Sequence, residues 1–299
     1  MAASTSSQIH SSGSGSVARC KVDESEEIRI ICMKISLITA CYNSEATIRT
    51  AIESVLSQQG VDVEYIVVDG GSKDGTVNII NECVAKTNDQ RLTTNDFTFR
   101  WLSERDRGMY DAINKGIAMA TGDIIGILNA DDVLASNDTL AHVAEAFTPG
   151  IDALYADIRF VRTGDSLETL RVAKTVRYCS AAKWKPWMFR FAAMVPHPSF
   201  YVRRECFARL GGYSLDYRIC ADFELELRYL YLTKLKAAYL PECVVVMRMG
   251  GASTSGWRSN KKINEEDLKA LRTHGIWSCL PLIYLKYLFK IWGFIFKRR

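Results

Sequence analysis

The sequence predicts an α/β fold on a doubly wound, mostly parallel sheet with helices on both faces. Apolar runs and helical periodicities alternate between residues 34 and 132, the signature of repeated βα units. Tyr65–Val68 is continuously apolar, as a strand covered on both faces requires. Polar residues crowd after the carboxyl ends of the runs, where open parallel sheets bind their ligands.

Lys34–Ala40 reads as the first strand, and Ile48, Ile52, Val55 and Leu56 mark one face of the helix after it. Tyr65–Val68 is the second strand. Gly70-Gly71 ends it, and a helix begins near Asp74-Gly75-Thr76. Phe97–Leu102 is a third strand, Tyr110, Ile113, Ile117 and Ala120 a third helix, and Asp123–Leu128 a fourth strand running into Asp131-Asp132. Beyond 150 the alternation loosens: a strand near Ala153–Val161, a Trp/Pro loop at 184–198, a helix at 221–232 and a strand at Val244–Met247.

At 299 residues, 48% hydrophobic and 24% charged, the chain can bury a full core, which excludes a wholly disordered protein. The net charge is +4, yet Pro281–Arg299 alone contributes +5 without an acid. A local anionic surface is therefore the expected partner of the tail, and no nucleic acid. Nine scattered cysteines, with no CxxC, fit buried thiols in a reducing compartment. No secretion signal is expected, nor an ordinary membrane span. Residues 1–33 read as a disordered leader: the first sixteen hold seven serines and two glycines, and Met33-Lys34 reads as the natural start.

Asp131-Asp132 follows an apolar strand, so a divalent cation can relieve the repulsion between them; the ordinary alternative is an acidic loop before a helix. Asp69 can accept from a base or ribose, or the Asp69–Thr76 segment is simply a strand-to-helix turn capped by Asp74. Arg105 and Lys115 can neutralise phosphate, or Lys115 pairs with Asp111 one turn away. His197, between two prolines, is a packed polar residue or a site residue. Asp222 opens a helix as a cap or serves as a base.

Taken together these residues resemble a family 2 glycosyltransferase with the nucleotide-sugar-binding GT-A fold. The carrying segments are Ile35–Asn43, Val67–Thr76, Ser103–Gly116, Ala120–Asp123, Leu128–Asp132, His197–Ser199 and Met247–Ser253. The subgroup with Gly-Met-Tyr-Asp-Ala-Ile-Asn-Lys-Gly resembles bacterial enzymes of exopolysaccharide and lipopolysaccharide (colanic-acid-type) assembly. The resemblance implies a nucleotide-sugar donor linked to UDP, GDP or dTDP. It implies Thr39, Tyr42, Glu45 and Asp69 around the nucleoside, Arg105 and Lys115 near the nucleotide or sugar, and Asp131 at the ribose or donor sugar. Asp132 would ligate Mg²⁺ or Mn²⁺, Asp222 would be the catalytic base, and His197, Arg248 and Ser253 would border the acceptor or diphosphate. Where many relatives carry Glu-Asp at the base, this chain has Ala221-Asp222. It also lacks the Gln-x-x-Arg-Trp segment of processive synthases, so one sugar per cycle is expected.

The expected organisation is a catalytic domain over 34–255, with a nucleotide half (34–132) and an acceptor half (133–255), then a helical, membrane-associating tail at 256–299. Lys286, Lys290 and Lys297 share one face of that tail, which suits an in-plane helix on the cytoplasmic leaflet and a polyprenyl-diphosphate-linked acceptor. The expected location is therefore cytoplasmic, peripheral on the inner face of the cell membrane. Two other readings stand beside this: a sugar-1-phosphate nucleotidyltransferase, and an inactive membrane scaffold.

Overall fold

The computed structural model describes residues 33–89, 96–162, 164–250 and 257–287. The leader before Met33, the Ser253 element and the tail beyond Tyr287 lie outside the described residues.

The first half alternates as the sequence predicts: β1 (Lys34–Cys41), α1 (Ile48–Leu56), β2 (Asp62–Asp69), α2 (Thr76–Asp89), β3 (Phe97–Ser103), α3 (Met109–Met119) and β4 (Ile124–Ile127). There follow β5 (Val133–Leu134), α4 (Thr139–Ala146), β6 (Ala153–Val161), α5 (Leu167–Val172), β7 (Arg177–Cys179), β8 (Tyr201–Arg203) and α6 (Arg204–Leu210). The described chain ends with α7 (Ala221–Glu226), β9 (Ala237–Arg248), α8 (Trp257–Thr273) and α9 (Leu280–Tyr284).

All these strands join one sheet in the order β3-β2-β1-β4-β8-β6-β9-β5, with β7 paired to β6. Strands β3, β2, β1 and β4 run parallel, as do β6 and β9. β8 is antiparallel to both its neighbours, and β5 to β9. Successive side chains point to opposite faces. Leu37 thus joins one core with Ile48, Ile52 and Phe147, while Ile38 joins the other with Ile66, Ile113 and Phe223. Helix α1 covers the first face and α3 the second, so both are dry.

Three features depart from the sequence reading. The short strands β5, β7 and β8 and helices α5 and α6 were not expected. The helix predicted over 221–232 is α-helical only to Glu226, then widens into a π-helical turn at Leu227–Leu232, closed by Thr233 N–H on Arg228 O at 3.0 Å. Finally, Lys286 does not face lipid. It is 5% exposed, with Nζ 2.6 Å from Asp267 Oδ2 on α8. A buried acid on the packed partner helix claims the ammonium, so this lysine leaves the proposed lipid-facing stripe; Lys290 and Lys297 lie outside the described residues.

Candidate active site

Because β1 to β4 are parallel neighbours, their carboxyl ends form one rim. Cys41 at the end of β1 is in register with Asp69 at the end of β2. Asp69 is fully buried. Its carboxylate accepts from Ser72 N at 3.0 Å, Gly71 N at 3.1 Å and Ser103 Oγ at 2.7 Å, and also from Ser72 Oγ. Burial alone raises its pKa, but these hydrogen bonds outweigh burial and hold it below the usual carboxylate value. The turn needs Gly71, whose φ is +81°.

The loops after β1 and β2 are laced together. Asn43 N–H donates to Ser72 Oγ at 2.7 Å and its Oδ1 accepts from Lys73 N at 2.9 Å. Ser44 N–H reaches Thr76 Oγ1 at 2.7 Å, and Glu45 Oε2 accepts from Gly75 N at 2.7 Å. Asp74 accepts from Thr76 N at 3.0 Å, as a helix cap does. Of the residues expected around the nucleoside, Tyr42 (57% exposed) and Glu45 face solvent. Thr39 and Asp69 lie in the wall behind, with Thr39 Oγ1 accepting from Tyr65 OH at 3.0 Å.

After β3, Arg105 is exposed. Lys115 sits 2.7 Å from Glu104 and 3.9 Å from Asp111, and donates to Arg105 O at 3.2 Å. Its charge is thus already shared by two acids, and the ordinary helix-face pairing is present.

After β4 comes the least satisfied group of the rim. Asp132 is 1% exposed. Its Oδ2 accepts from Asn129 Nδ2 at 2.8 Å, while its Oδ1 is buried with no hydrogen-bond partner. Burial, then the neighbouring charge of Asp131, pushes this carboxyl well above the usual range. Arg248, from the end of β9, donates to Asp131 O and to Thr50 Oγ1 at 2.9 Å, so two distant segments brace the acidic pair.

Asp222 lies in the first turn of α7 and accepts from Phe223 N at 2.8 Å. It does not sit at the cap position, which Cys220 holds. The charge of Asp222 acts on Tyr110, His197, Tyr213 and Glu226. Burial lowers the His197 pKa and Asp222 opposes the shift. His197 Nε2 is 2.7 Å from Tyr213 OH, and Tyr213 stacks on Tyr110 with centroids 5.5 Å apart. Tyr110 lies in the first turn of α3, after the β3 loop, and the 3₁₀ turn His197–Ser199 packs against β4. The charge of Asp222 thus reaches Tyr110, in the first turn after the β3 loop, and His197, in the turn that packs on β4.

The sequence reading missed Tyr110 and Tyr213 as site residues, and also Glu226. Glu226 is fully buried, accepts from Val195 N at 3.2 Å through Oε2, and leaves Oε1 without a partner. Burial, then Asp222, raises its pKa well above normal. Its signal was available: it is an acid four residues after Asp222, within the apolar face of Phe223, Leu227 and Leu230.

Comparison with known proteins supplies the family. The sequence profile described as Glycosyl transferase family 2 matches residues 36–210, more than half of the chain. The chain belongs to this family. The family and the relatives are glycosyltransferases, which the nucleotidyltransferase reading does not fit. A PGL/p-HBAD biosynthesis glycosyltransferase of Mycobacterium bovis (strain BCG / Pasteur 1173P2) is 28% identical over 239 residues, covering 79% of this chain and 83% of that protein. Among solved structures, the mannosyltransferase PcManGT of Pyrobaculum calidifontis, in complex with GDP-Man and Mn²⁺, superposes with a TM-score of 0.58 at 20% identity, over 88% of this chain and 72% of that one. TarS 1–349 of S. aureus superposes with a TM-score of 0.55 at 16% identity, over 80% of this chain and 65% of that one. These likenesses are to the fold, which is the GT-A fold that the sequence led us to expect.

Proposed function

We propose that this glycosyltransferase is an inverting, metal-dependent enzyme that moves one sugar from a nucleoside-diphosphate sugar to a hydroxyl of a lipid-linked oligosaccharide. It would work at the inner face of a bacterial cell membrane, in surface-polysaccharide assembly. The observation that carries the reading is the buried, unpartnered Oδ1 of Asp132 at the end of β4, beside Asp131. An oxygen so placed has no hydrogen-bond partner, and Arg248 nearby only partly offsets the two adjacent acids; a hard divalent cation would supply a direct ligand contact. Mg²⁺ or Mn²⁺ takes one or two protein carboxylates and completes its shell with phosphate oxygens and water. In this chain Asp132, with Asp131 beside it, would supply the protein carboxylates; among the described residues no three acidic, His or Cys side chains converge. When bound, the cation stabilises the departing diphosphate, so no protein acid is needed for the leaving group.

The chain's own residues then have distinct tasks. Tyr42, Glu45, Arg105 and Asp131 offer side chains to the nucleotide sugar at the rim. Thr39 and Asp69 hold the wall behind, and Lys115 fixes the β3 loop through Glu104. Asp222 takes the proton of the acceptor hydroxyl, a single displacement from the opposite face. His197, Arg248 and, by resemblance, Ser253 border the acceptor or diphosphate. Residues 34–132 would form the donor half, 133–255 the acceptor half, and 256–299 the membrane-associating tail. The solved structures holding GDP-Man, UDP and UDP-GlcNAc support a nucleotide-sugar donor.

The test separates donor from acceptor. Asp132→Ala is expected to abolish Mn²⁺-dependent nucleoside-diphosphate binding in calorimetry. Asp222→Asn is expected to bind donor normally while transfer falls by about 10²–10⁴-fold. Unchanged turnover in Asp222→Asn discards the base assignment, and unchanged Mn²⁺-dependent binding in Asp132→Ala discards the metal ligand.

A further inference from the structure

Beside the π-helical turn that follows α7, the fold displays an apolar face to which the roles above assign no residue. A groove of about 510 Å³ is lined by Trp187, Arg190, Phe191, Tyr231, Trp277 and Leu282. Its rim is unusually bare: Trp187 is 55% exposed and Trp277 73%, and Leu280, Tyr284 and Leu285 also stand open. Two segments build most of it, with Tyr231 added from the π-helical turn. The 3₁₀ turn Pro186–Phe191 packs on α9, and Ser278 Oγ donates to Arg190 O at 2.7 Å. Large exposed apolar clusters on a soluble fold mark interaction surfaces.

The charge around this face identifies the partner. Lys183, Lys185 and Arg190 are exposed beside Trp187. No Asp or Glu occurs between residues 169 and 204, nor anywhere after Asp267. In sequence, residues 288–299 follow, carrying Lys290, Lys297, Arg298 and Arg299 with Phe289, Trp292 and Phe296. Tryptophan and tyrosine settle at the headgroup level of bilayers, and basic side chains beside them are drawn to anionic leaflets. A second copy of this chain would set like charges against each other at this face.

We infer that the Lys183–Phe191 and Trp277–Leu285 segments together form a seat for an anionic bilayer surface, with Trp187 and Trp277 entering the interface and Lys183, Lys185 and Arg190 meeting headgroups. This extends the membrane partner of the proposed function from the tail to the folded domain. It needs no contribution from Lys286, which Asp267 holds inside.

The experiment is co-sedimentation of the full chain with phosphatidylcholine vesicles, with or without about one third phosphatidylglycerol. The partition coefficient should be at least tenfold higher on anionic vesicles. Trp187→Ala/Trp277→Ala should lower it at least tenfold, and Trp187→Phe/Trp277→Phe should restore most of it. Lys183→Glu/Lys185→Glu/Arg190→Glu should lower it at least fivefold on anionic vesicles alone. Charge reversal of Lys290, Lys297, Arg298 and Arg299 should leave measurable binding. Unchanged melting temperature and nucleoside-diphosphate binding confirm that each variant is folded. The inference is overturned if the double alanine variant partitions like the parent, if reversing the tail charges alone abolishes binding, or if the alanine variant instead turns a dimer into a monomer. Failure of the parent chain to bind anionic vesicles while it still binds nucleoside diphosphate refutes the seat and leaves the transferase reading; vesicle binding by a parent chain that binds no nucleoside diphosphate does the reverse.

Discussion

Glu64→Gln tests the part of the scaffold that aligns the rim. Glu64 is buried at the amino end of the parallel strands, and both its oxygens are engaged. Oε2 accepts from Ser36 Oγ at 2.6 Å on β1 and from Thr121 N at 2.7 Å before β4. Oε1 accepts from Arg100 NH1 at 3.0 Å on β3 and from Thr121 Oγ1 at 3.1 Å. One carboxylate thus cross-links four neighbouring segments. Burial works against its charge, but the hydrogen bonds from Ser36, Thr121 and Arg100 prevail and lower its pKa from 4.5 to about 2. That difference corresponds to about 3 kcal/mol of stability at pH 7. The sign follows from the depressed pKa. The contribution is fully present above the unfolded value near 4.5 and is lost as pH falls toward 2. At pH 3 about 1.5 kcal/mol remains, so the deficit of the variant should shrink by about 2 kcal/mol between pH 7 and pH 3. Urea unfolding of both proteins at pH 7, 5, 4 and 3 measures it, with nucleoside-diphosphate affinity unchanged because Glu64 lies at the opposite end of the strands from the rim. A deficit equal at pH 7 and pH 3 refutes the reasoning, since the charge would then not be the source.

Asp132→Asn removes a buried charge that burial and Asp131 disfavour, so it should raise the melting temperature of the metal-free protein at pH 7 while losing the melting shift given by Mn²⁺ and nucleoside diphosphate; differential scanning fluorimetry reads both. Asp267→Asn leaves the Lys286 ammonium buried without its carboxylate and should cost about 3–5 kcal/mol in thermal or urea melts. Lys286→Met should cost less, because burial already raises the Asp267 pKa and lets that acid take a proton. Its penalty should therefore grow as pH rises, which melts at pH 5 and pH 8 compare.

Much of the site was readable because βα repetition translates directly into location. Once Lys34–Ala40, Tyr65–Val68, Phe97–Leu102 and Asp123–Leu128 are parallel strands, the residues just after them must share an edge. The structure agrees for Tyr42, Glu45, Asp69, Arg105, Asp131 and Asp132. What could not be read was which polar atoms are already taken. Asp69 and Asp132 look alike as acids after apolar strands, yet the hydrogen bonds of Asp69 come from Gly71, Ser72 and Ser103, whereas Asp132 keeps a bare oxygen. The same blindness affected Lys286, whose spacing with Lys290 and Lys297 suggested a lipid face. Its partner Asp267 is nineteen residues away and meets it only when α9 packs on α8.

The sequence alone determined the fold class, the rim and the family, because apolar periodicity and motif spacing are local along the chain and survive without knowledge of contacts. Only the tertiary structure decided which charges stay free. It also showed that Glu226 sits with Asp222 and Val195, and that the Trp187 turn and α9 make one apolar face. Those outcomes depend on segments far apart in sequence being brought within hydrogen-bonding or van der Waals distance, and no pattern along a single chain encodes that distance.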